Sequence, residues 1–174
     1  MDPEANEAPK FCKAMDTFIR RTGHLISWLA AALIIVIIVQ VVLRYIFGRG
    51  LVVLEEIQWH LYAIGIMFGF SYAIVYDSHI RLDLLHDRFP RRRKEKVEIL
   101  GILFLLMPMI IVILIHSWDF WYDSWRINES SDAPLGLCCR WFIKALIPIG
   151  FIMMGFAAIS RLARAIAYLM LKKE

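Results

Sequence analysis

The chain has 174 residues, of which 60% are hydrophobic and 21% are charged, and its formal net charge is +4. Its mean hydropathy of +0.60 is higher than that of an ordinary soluble domain of this length. This composition argues against a soluble enzyme and predicts an all-α integral membrane protein.

Four apolar stretches are each long enough to cross about 30 Å of hydrocarbon as one helix. We predict a single membrane domain, residues 1–174, in which a basic loop (77–96) and an aromatic and acidic loop (122–140) separate the later helices. The four predicted transmembrane helices are residues 24–43, 51–76, 97–121 and 141–170. The N-terminal tail MDPEANEAPK has no basic region ahead of the first stretch, so no removed signal peptide is expected.

The basic residues are distributed unevenly over this chain. Of the 20 lysines and arginines, 15 lie in the N-terminal segment, in the loop 77–96, or in the last turns and tail of the fourth helix. Because Lys and Arg are enriched in cytoplasmic loops, both termini and the basic loop are predicted to be cytoplasmic. The topology alone accounts for the basic run RRRKEK, so no nucleic-acid partner is predicted.

The second predicted helix begins LEEIQWHLYAIGIMFGF, which places the carboxylates Glu55 and Glu56 in an apolar stretch. Ionisable groups in hydrocarbon are costly and mark either a pairing or a proton pathway. Both glutamates lie near the outer end of this helix, and Arg44 lies at the matching end of the first helix. A relay would need further titratable groups near the midplane, where the sequence offers none. We therefore predict an ion pair between Arg44 and Glu55 that joins the first two helices.

Three small residues, Gly65, Gly69 and Ala73, recur every four positions along the second predicted helix. At about 100° per residue they form one stripe, whereas Glu56 and His60 fall on another face. A stripe of small residues lets a neighbouring helix approach closely in a membrane. We therefore expect this stripe to contact another helix.

An aromatic stripe precedes and enters the loop 122–140, and its spacing is typical of a belt at the membrane interface. Its members are Trp118, Trp121, Tyr122 and Trp125. The adjacent Cys138 and Cys139 have a spacing that the usual geometry of a disulfide strongly disfavours. The sequence contains no Cys/His metal spacing, no H-E-x-x-H and no P-loop, so no metal, cofactor or ATP-driven activity is predicted.

Three segments together resemble the small membrane subunit, the DctQ-like or Q subunit, of tripartite ATP-independent periplasmic (TRAP) transporters. They are VVLRYIFGRGLVVLEEIQWHLYAIGIMFGFSYAI, then HIRLDLLHDRFP before the basic cluster, and SSDAPLGLCCRWFIKALIPIGF. The resemblance implies a non-enzymatic subunit of a bacterial inner-membrane complex that imports small organic acids. In such a complex a periplasmic protein captures the anion, and a large membrane subunit moves it with the sodium gradient. This chain would steady the large subunit within the lipid bilayer.

The resemblance also implies roles for the polar residues of the predicted outer side. Glu56 and His60 would reach a helix of the large subunit, as would the small-residue stripe. The exposed charges of the periplasmic loop would help to receive the substrate-binding protein, and the candidates are Asp123, Arg126, Glu129 and Asp132.

The alternative from another class is a four-helix anchor that holds haem b for an oxidoreductase. His60 and His116 both fall in the outer half of the predicted membrane domain, and two imidazoles can ligate a haem. A membrane histidine also serves as an interhelical hydrogen-bonding group, and Glu56 lies one turn before His60. A self-sufficient channel is disfavoured because the predicted helices lack a polar lining.

Overall fold

The computed structural model describes residues 10–76 and 90–171. Most of the predicted basic loop, at 77–89, lies outside these residues, as do the two ends of the chain. The helices within them are α1 (Lys10–Tyr45), α2 (Val52–Val75), α3 (Arg91–Gly101), α4 (Met107–Arg126) and α5 (Trp141–Leu171). The described part of the chain contains no strand, which confirms the all-α prediction.

Three helical segments are long and apolar enough to cross a membrane: Ala14–Tyr45, Arg92–Arg126 and Trp141–Met170. Helix α2 has 24 residues, which is about 36 Å of helix, but its first turns carry the polar group that includes Glu55 and Glu56. Its length therefore suits a span, but it is not among the three segments that contain a sufficiently apolar stretch. The fourth span and the cytoplasmic termini remain predictions.

Helix α1 begins well before the predicted boundary at residue 24. Its 36 residues are about 54 Å long, so that it extends beyond the hydrocarbon thickness. The additional turns contain Asp16 and Ile19, both buried against the rest of the chain. Tertiary contacts therefore continue the helix through a segment that hydropathy alone does not mark.

Helices α3 and α4 follow one another through a π-helical segment, Ile102–Leu106. Pro108 comes directly after it, at the start of α4. Proline has no backbone N–H, so the carbonyl of Phe104 loses the donor that an α-helix would give it. The irregularity before Pro108 thus takes the form of a local widening of the helix, a common way of accommodating a break in the ladder of backbone hydrogen bonds.

Helix α5 is the centre of the fold and contacts every other helix. Small side chains make this possible, since Ala157, Ala158 and Ser160 are completely buried. The hydrophobic core around them consists of Ile19, Ile74, Val75, Ile102, Ile110, Met153, Met154, Ala157 and Ala158. By contrast, many apolar residues of α1 are exposed, as a helix that faces lipid or a partner subunit requires.

Close helix contacts use glycines other than those of the predicted stripe. A Cβ atom on Gly150 would lie 2.9 Å from the Cβ of Met67, and one on Gly23 would overlap the ring of Tyr72. At Gly65 and Gly69 such an atom would meet nothing within 4 Å. The stripe therefore faces open space in this chain, and its contact with another subunit stays a prediction.

Candidate functional site

The carboxylate of Glu56 fastens the loop between α4 and α5 to helix α2. One of its oxygens accepts a hydrogen bond from the backbone N–H of Leu137 at 2.5 Å, and the other accepts one from the hydroxyl of Ser131. Sequence reasoning assigned Glu56 to a partner helix, whereas both of these donors belong to its own chain. We call this contact of Glu56, Ser131 and Leu137 the outer joint.

The loop is shaped to make the outer joint. The N–H of Ser131 donates to the carbonyl of Leu137 at 3.1 Å, and Leu135 adopts a left-handed conformation with φ of 66°. A Cβ atom on Gly136 would lie 2.5 Å from the side chain of Ser131 and 2.8 Å from Glu56. Only glycine therefore fits where the loop passes over the carboxylate.

His60 lies one turn after Glu56 and contacts the same residue. Its Nδ1 atom is 2.5 Å from the backbone carbonyl oxygen of Glu56, so this nitrogen carries the proton and donates. His60 is partly buried, whereas His116 on α4 is exposed. This hydrogen bond within α2 is an ordinary structural role for a histidine in a membrane helix, and it does not require a haem.

A second network of charges organises the same loop. Glu129 pairs with Lys144 at the start of α5, and Arg140 lies 3.9 Å from Glu129 and 2.9 Å from Asp132. The hydrogen bond and charge of Lys144 lower the pKa of the Glu129 carboxyl. The ammonium of Lys144 also lies 4.1 Å from the centre of the Phe120 ring. These contacts tie the loop to α5 and α5 to α4, whereas the outer joint ties the loop to α2.

The predicted docking residues therefore differ in their surroundings. Glu129 and Asp132 are engaged within the loop by Lys144 and Arg140. Asp123 and Arg126, at the end of α4, are exposed. The aromatic stripe beside them forms as predicted, with neighbouring ring centres 5.3–6.3 Å apart.

The structure does not bring Arg44 and Glu55 together. Both side chains are exposed, and the ion pairs found within residues 10–76 and 90–171 do not join them. The C-terminal part of α1 and the start of α2 meet at Gln40 instead, whose side-chain oxygen accepts a hydrogen bond from the N–H of Leu51 at 3.4 Å. A pair between Arg44 and Glu55 stays a prediction.

A group of buried charges at the opposite end of the helices was not anticipated from the sequence. Arg161 of α5 donates to Glu95 at 3.1 Å and to Glu98 at 2.5 Å, both on α3. One turn later, Arg164 lies 3.2 Å from Asp16 of α1, which also accepts a hydrogen bond from Ser160 at 2.8 Å. We call this network the inner joint. It joins α1, α3 and α5.

The signal for the inner joint was present in the sequence. Three acids, Asp16, Glu95 and Glu98, occur among the basic residues that were assigned to the cytoplasmic side. Arg161 and Arg164 were counted only as evidence for topology, although acids at helical spacing could have been paired with them. Which acids meet which arginine depends on tertiary packing.

The segment between the two joints offers little polar chemistry. Within the described ranges, no group of three or more His, Cys, Asp or Glu side chains is placed to hold a metal ion. The two joints can hold helices and a loop in fixed positions, which is a structural rather than a catalytic arrangement.

Comparisons with known proteins agree with the resemblance found in the sequence. Residues 33–167 match the family of tripartite ATP-independent periplasmic transporters, DctQ component. The chain is 26% identical over 168 residues to the ectoine TRAP transporter small permease protein TeaB of Halomonas elongata, covering 92% of this chain and 84% of the relative. It is 24% identical over 116 residues to the C4-dicarboxylate TRAP transporter small permease protein DctQ of Vibrio cholerae, covering 64% of this chain and 49% of the relative.

Proposed function

Because the chain belongs to the family of DctQ components of tripartite ATP-independent periplasmic transporters, we propose that it is a scaffold for the large membrane subunit of such a transporter. In this role it steadies the large subunit while that subunit imports a small organic acid with the sodium gradient. The observation that carries the proposal is the position of the polar contacts. They fix the helices at both ends and leave an apolar surface between them.

The spacing of the joints supports a membrane-spanning arrangement of the whole bundle. On α5, Lys144 of the outer loop network and Arg161 of the inner joint are separated by 17 residues, or about 26 Å of helix. On α2, Glu56 precedes Tyr76 by 20 residues, or about 30 Å, and Arg20 lies over the Tyr76 ring at 4.7 Å. These lengths match the hydrocarbon core of a bilayer. We therefore propose that α2 is the fourth span and that both termini are cytoplasmic.

The scaffold role follows from what such a bundle can and cannot do. Secondary carriers bind their substrates near the midplane, in cavities formed by broken helices and polar groups. Here the buried charged residues Asp16 and Glu95 lie at the inner end of the bundle. A bundle held at both ends keeps its shape while a partner moves beside it, which is what a stationary support must do.

The open stripe on α2 is the proposed contact with the large subunit. Gly65 and Gly69 leave room for another backbone to approach, and no side chain of residues 10–76 or 90–171 fills that room. The exposed Asp123 and Arg126 are the proposed contacts with the substrate-binding protein. The names of the two relatives contain different substrates, ectoine and a C4-dicarboxylate, so the substrate of this chain does not follow from its family.

Co-purification with the large subunit tests the proposed interface. We expect Gly69→Leu to lower the yield of large subunit recovered with this chain, because the added side chain fills the space that a partner helix needs. Gly101→Leu is the matched control, since a Cβ at Gly101 also meets nothing within 4 Å. Both variants must give a single symmetric peak in size-exclusion chromatography. Equal recovery of the large subunit with both variants would contradict the proposed contact at Gly69.

A further inference from the structure

Cys138 and Cys139 lie at the end of the loop, directly before α5 begins at Trp141. Both are free thiols, and the thiol of Cys139 donates a hydrogen bond to the sulfur of Cys138 at 3.4 Å. The side chain of Cys138 is exposed and that of Cys139 is partly exposed. Two accessible thiols in contact can undergo thiol chemistry, which the proposed scaffold role does not use.

The backbone on both sides of the pair is fixed. On one side, the N–H of Leu137 is held by Glu56 at 2.5 Å. On the other, the N–H of Arg140 donates to the carbonyl of Glu129 at 2.8 Å. Cys139 itself has a left-handed conformation with φ of 65°. Because the flanking residues are anchored to α2 and to the loop, the two thiols are kept on the same side and close together.

We propose that Cys138 and Cys139 form a thiol–disulfide exchange site that reacts with small disulfides and closes reversibly into a disulfide between the two neighbouring cysteines. The hydrogen bond from Cys139 to Cys138 raises the pKa of the Cys139 thiol, so the exposed Cys138 is the first nucleophile.

The exchange proceeds in two balanced steps. The thiolate of Cys138 attacks one sulfur of a small disulfide such as oxidised glutathione, forming a mixed disulfide and releasing one glutathione thiolate. The thiolate of Cys139 then attacks the sulfur of Cys138 and releases the second glutathione thiolate. The two protein thiols are oxidised, the glutathione disulfide is reduced, and the two protons pass from the protein thiols to the glutathione thiolates.

The product is a labile disulfide rather than a permanent crosslink. A disulfide requires its sulfurs to be about 2.05 Å apart, and adjacent residues have Cα atoms closer than the usual range for a bridge. Such a bond stores strain and is easily reduced, which is the behaviour of regulatory rather than structural disulfides. Closing it constrains the backbone between Leu137 of the outer joint and the first turn of α5.

Mass spectrometry of the purified full-length chain tests this site. Cys12→Ser removes the third cysteine. After incubation with oxidised glutathione, we expect the chain to lose two hydrogens, to carry no glutathione, and to lose both free thiols. Cys138→Ser and Cys139→Ser, each in the Cys12→Ser background, are the matched controls. Since neither can complete the second step, Cys139→Ser accumulates the stable glutathione adduct and Cys138→Ser accumulates it more slowly.

Three results would overturn the proposal. The first is accumulation of glutathione adducts on the chain with both cysteines to the same level as on the single-cysteine controls. The second is a disulfide between two copies of the chain in place of the internal one. The third is retention of both thiols under conditions in which the Cys139→Ser control reacts. Reduction with dithiothreitol must restore the starting mass, because a bond that resists it would contradict the reversible exchange.

Discussion

The ion pairs of the inner joint lead to a specific prediction about the stability of the fold. Arg161 and Glu95 have side chains that are only 13% and 11% exposed, and Glu98 shares the same guanidinium group. Replacing Arg161 by Met removes the guanidinium group that two neighbouring carboxylates share in a partly buried site. Breaking a buried ion pair in this way costs about 3–5 kcal/mol. Some exposure remains, so we expect about 3 kcal/mol for Arg161→Met.

Unfolding by SDS in mixed micelles measures this change. A loss of about 3 kcal/mol lowers the ratio of folded to unfolded protein roughly 100-fold, because every 1.4 kcal/mol is a factor of ten. Lys96→Met is the matched control, since Lys96 is an exposed cation on the same helix as Glu95. It should change the free energy of unfolding by less than about 0.5 kcal/mol.

A triple variant separates the cost of an unpaired charge from the value of the network. In Arg161→Met with Glu95→Gln and Glu98→Gln, the two carboxylates are neutralised together with the loss of the cation that they share, and we expect most of the lost stability to return. If the Arg161→Met variant were as stable as the parent chain, the proposed contribution of the inner joint to stability would be refuted. A triple variant as unstable as Arg161→Met would show instead that the network itself stabilises the fold.

Three further predictions concern the outer side of the protein. Glu56→Gln should accelerate amide hydrogen exchange in the loop, because the two loop donors bind different carboxylate oxygens and the amide replaces one of these acceptors by an NH2 donor group. Glu55→Gln should leave the exchange unchanged, and equal rates in both variants would contradict the outer joint. Lys144 lowers the pKa of the Glu129 carboxyl. The ion pair therefore stabilises the loop fully at pH values above the ordinary carboxyl pKa, and this stabilisation is lost as the pH falls through the lowered pKa. The protection factors of the loop amides, which are corrected for the intrinsic pH dependence of exchange, should therefore fall on acidification, and Glu129→Gln should reduce this dependence; an unchanged profile in the variant would count against it. In a cysteine-free background, a cysteine introduced at Asn128 should react with an impermeant reagent from outside, and one at Arg92 only after the membrane is opened; the reverse pattern would contradict the proposed topology.

The helices could be predicted from the sequence because their signals are local. Apolar stretches of sufficient length mark them, and Pro108 marks the irregularity in the third. The start of α1 at Lys10 could not be read in this way, since the burial of Asp16 and Ile19 depends on residues of α5 far along the chain. Hydropathy identifies the segment within the membrane but not a helix that continues beyond it.

The polar residues of the site were recognised in part. The sequence showed that Glu56 needs a partner, but a predicted helix does not show which loop returns to it. Leu137 reaches Glu56 through its backbone N–H, a donor that every non-proline residue has and that no motif marks. The inner joint was missed for a related reason, because Arg161 was already explained by topology.

Reconstitution into proteoliposomes tests the central claim of a scaffold most directly. The measurement is sodium-driven uptake of the organic acid that the cognate substrate-binding protein carries, in vesicles with this chain alone, with the large subunit alone, and with both. We predict no uptake by this chain alone, weak uptake by the large subunit alone, and full uptake when both are present with the binding protein. Saturable uptake by this chain alone, or full uptake by the large subunit without it, would contradict the scaffold role.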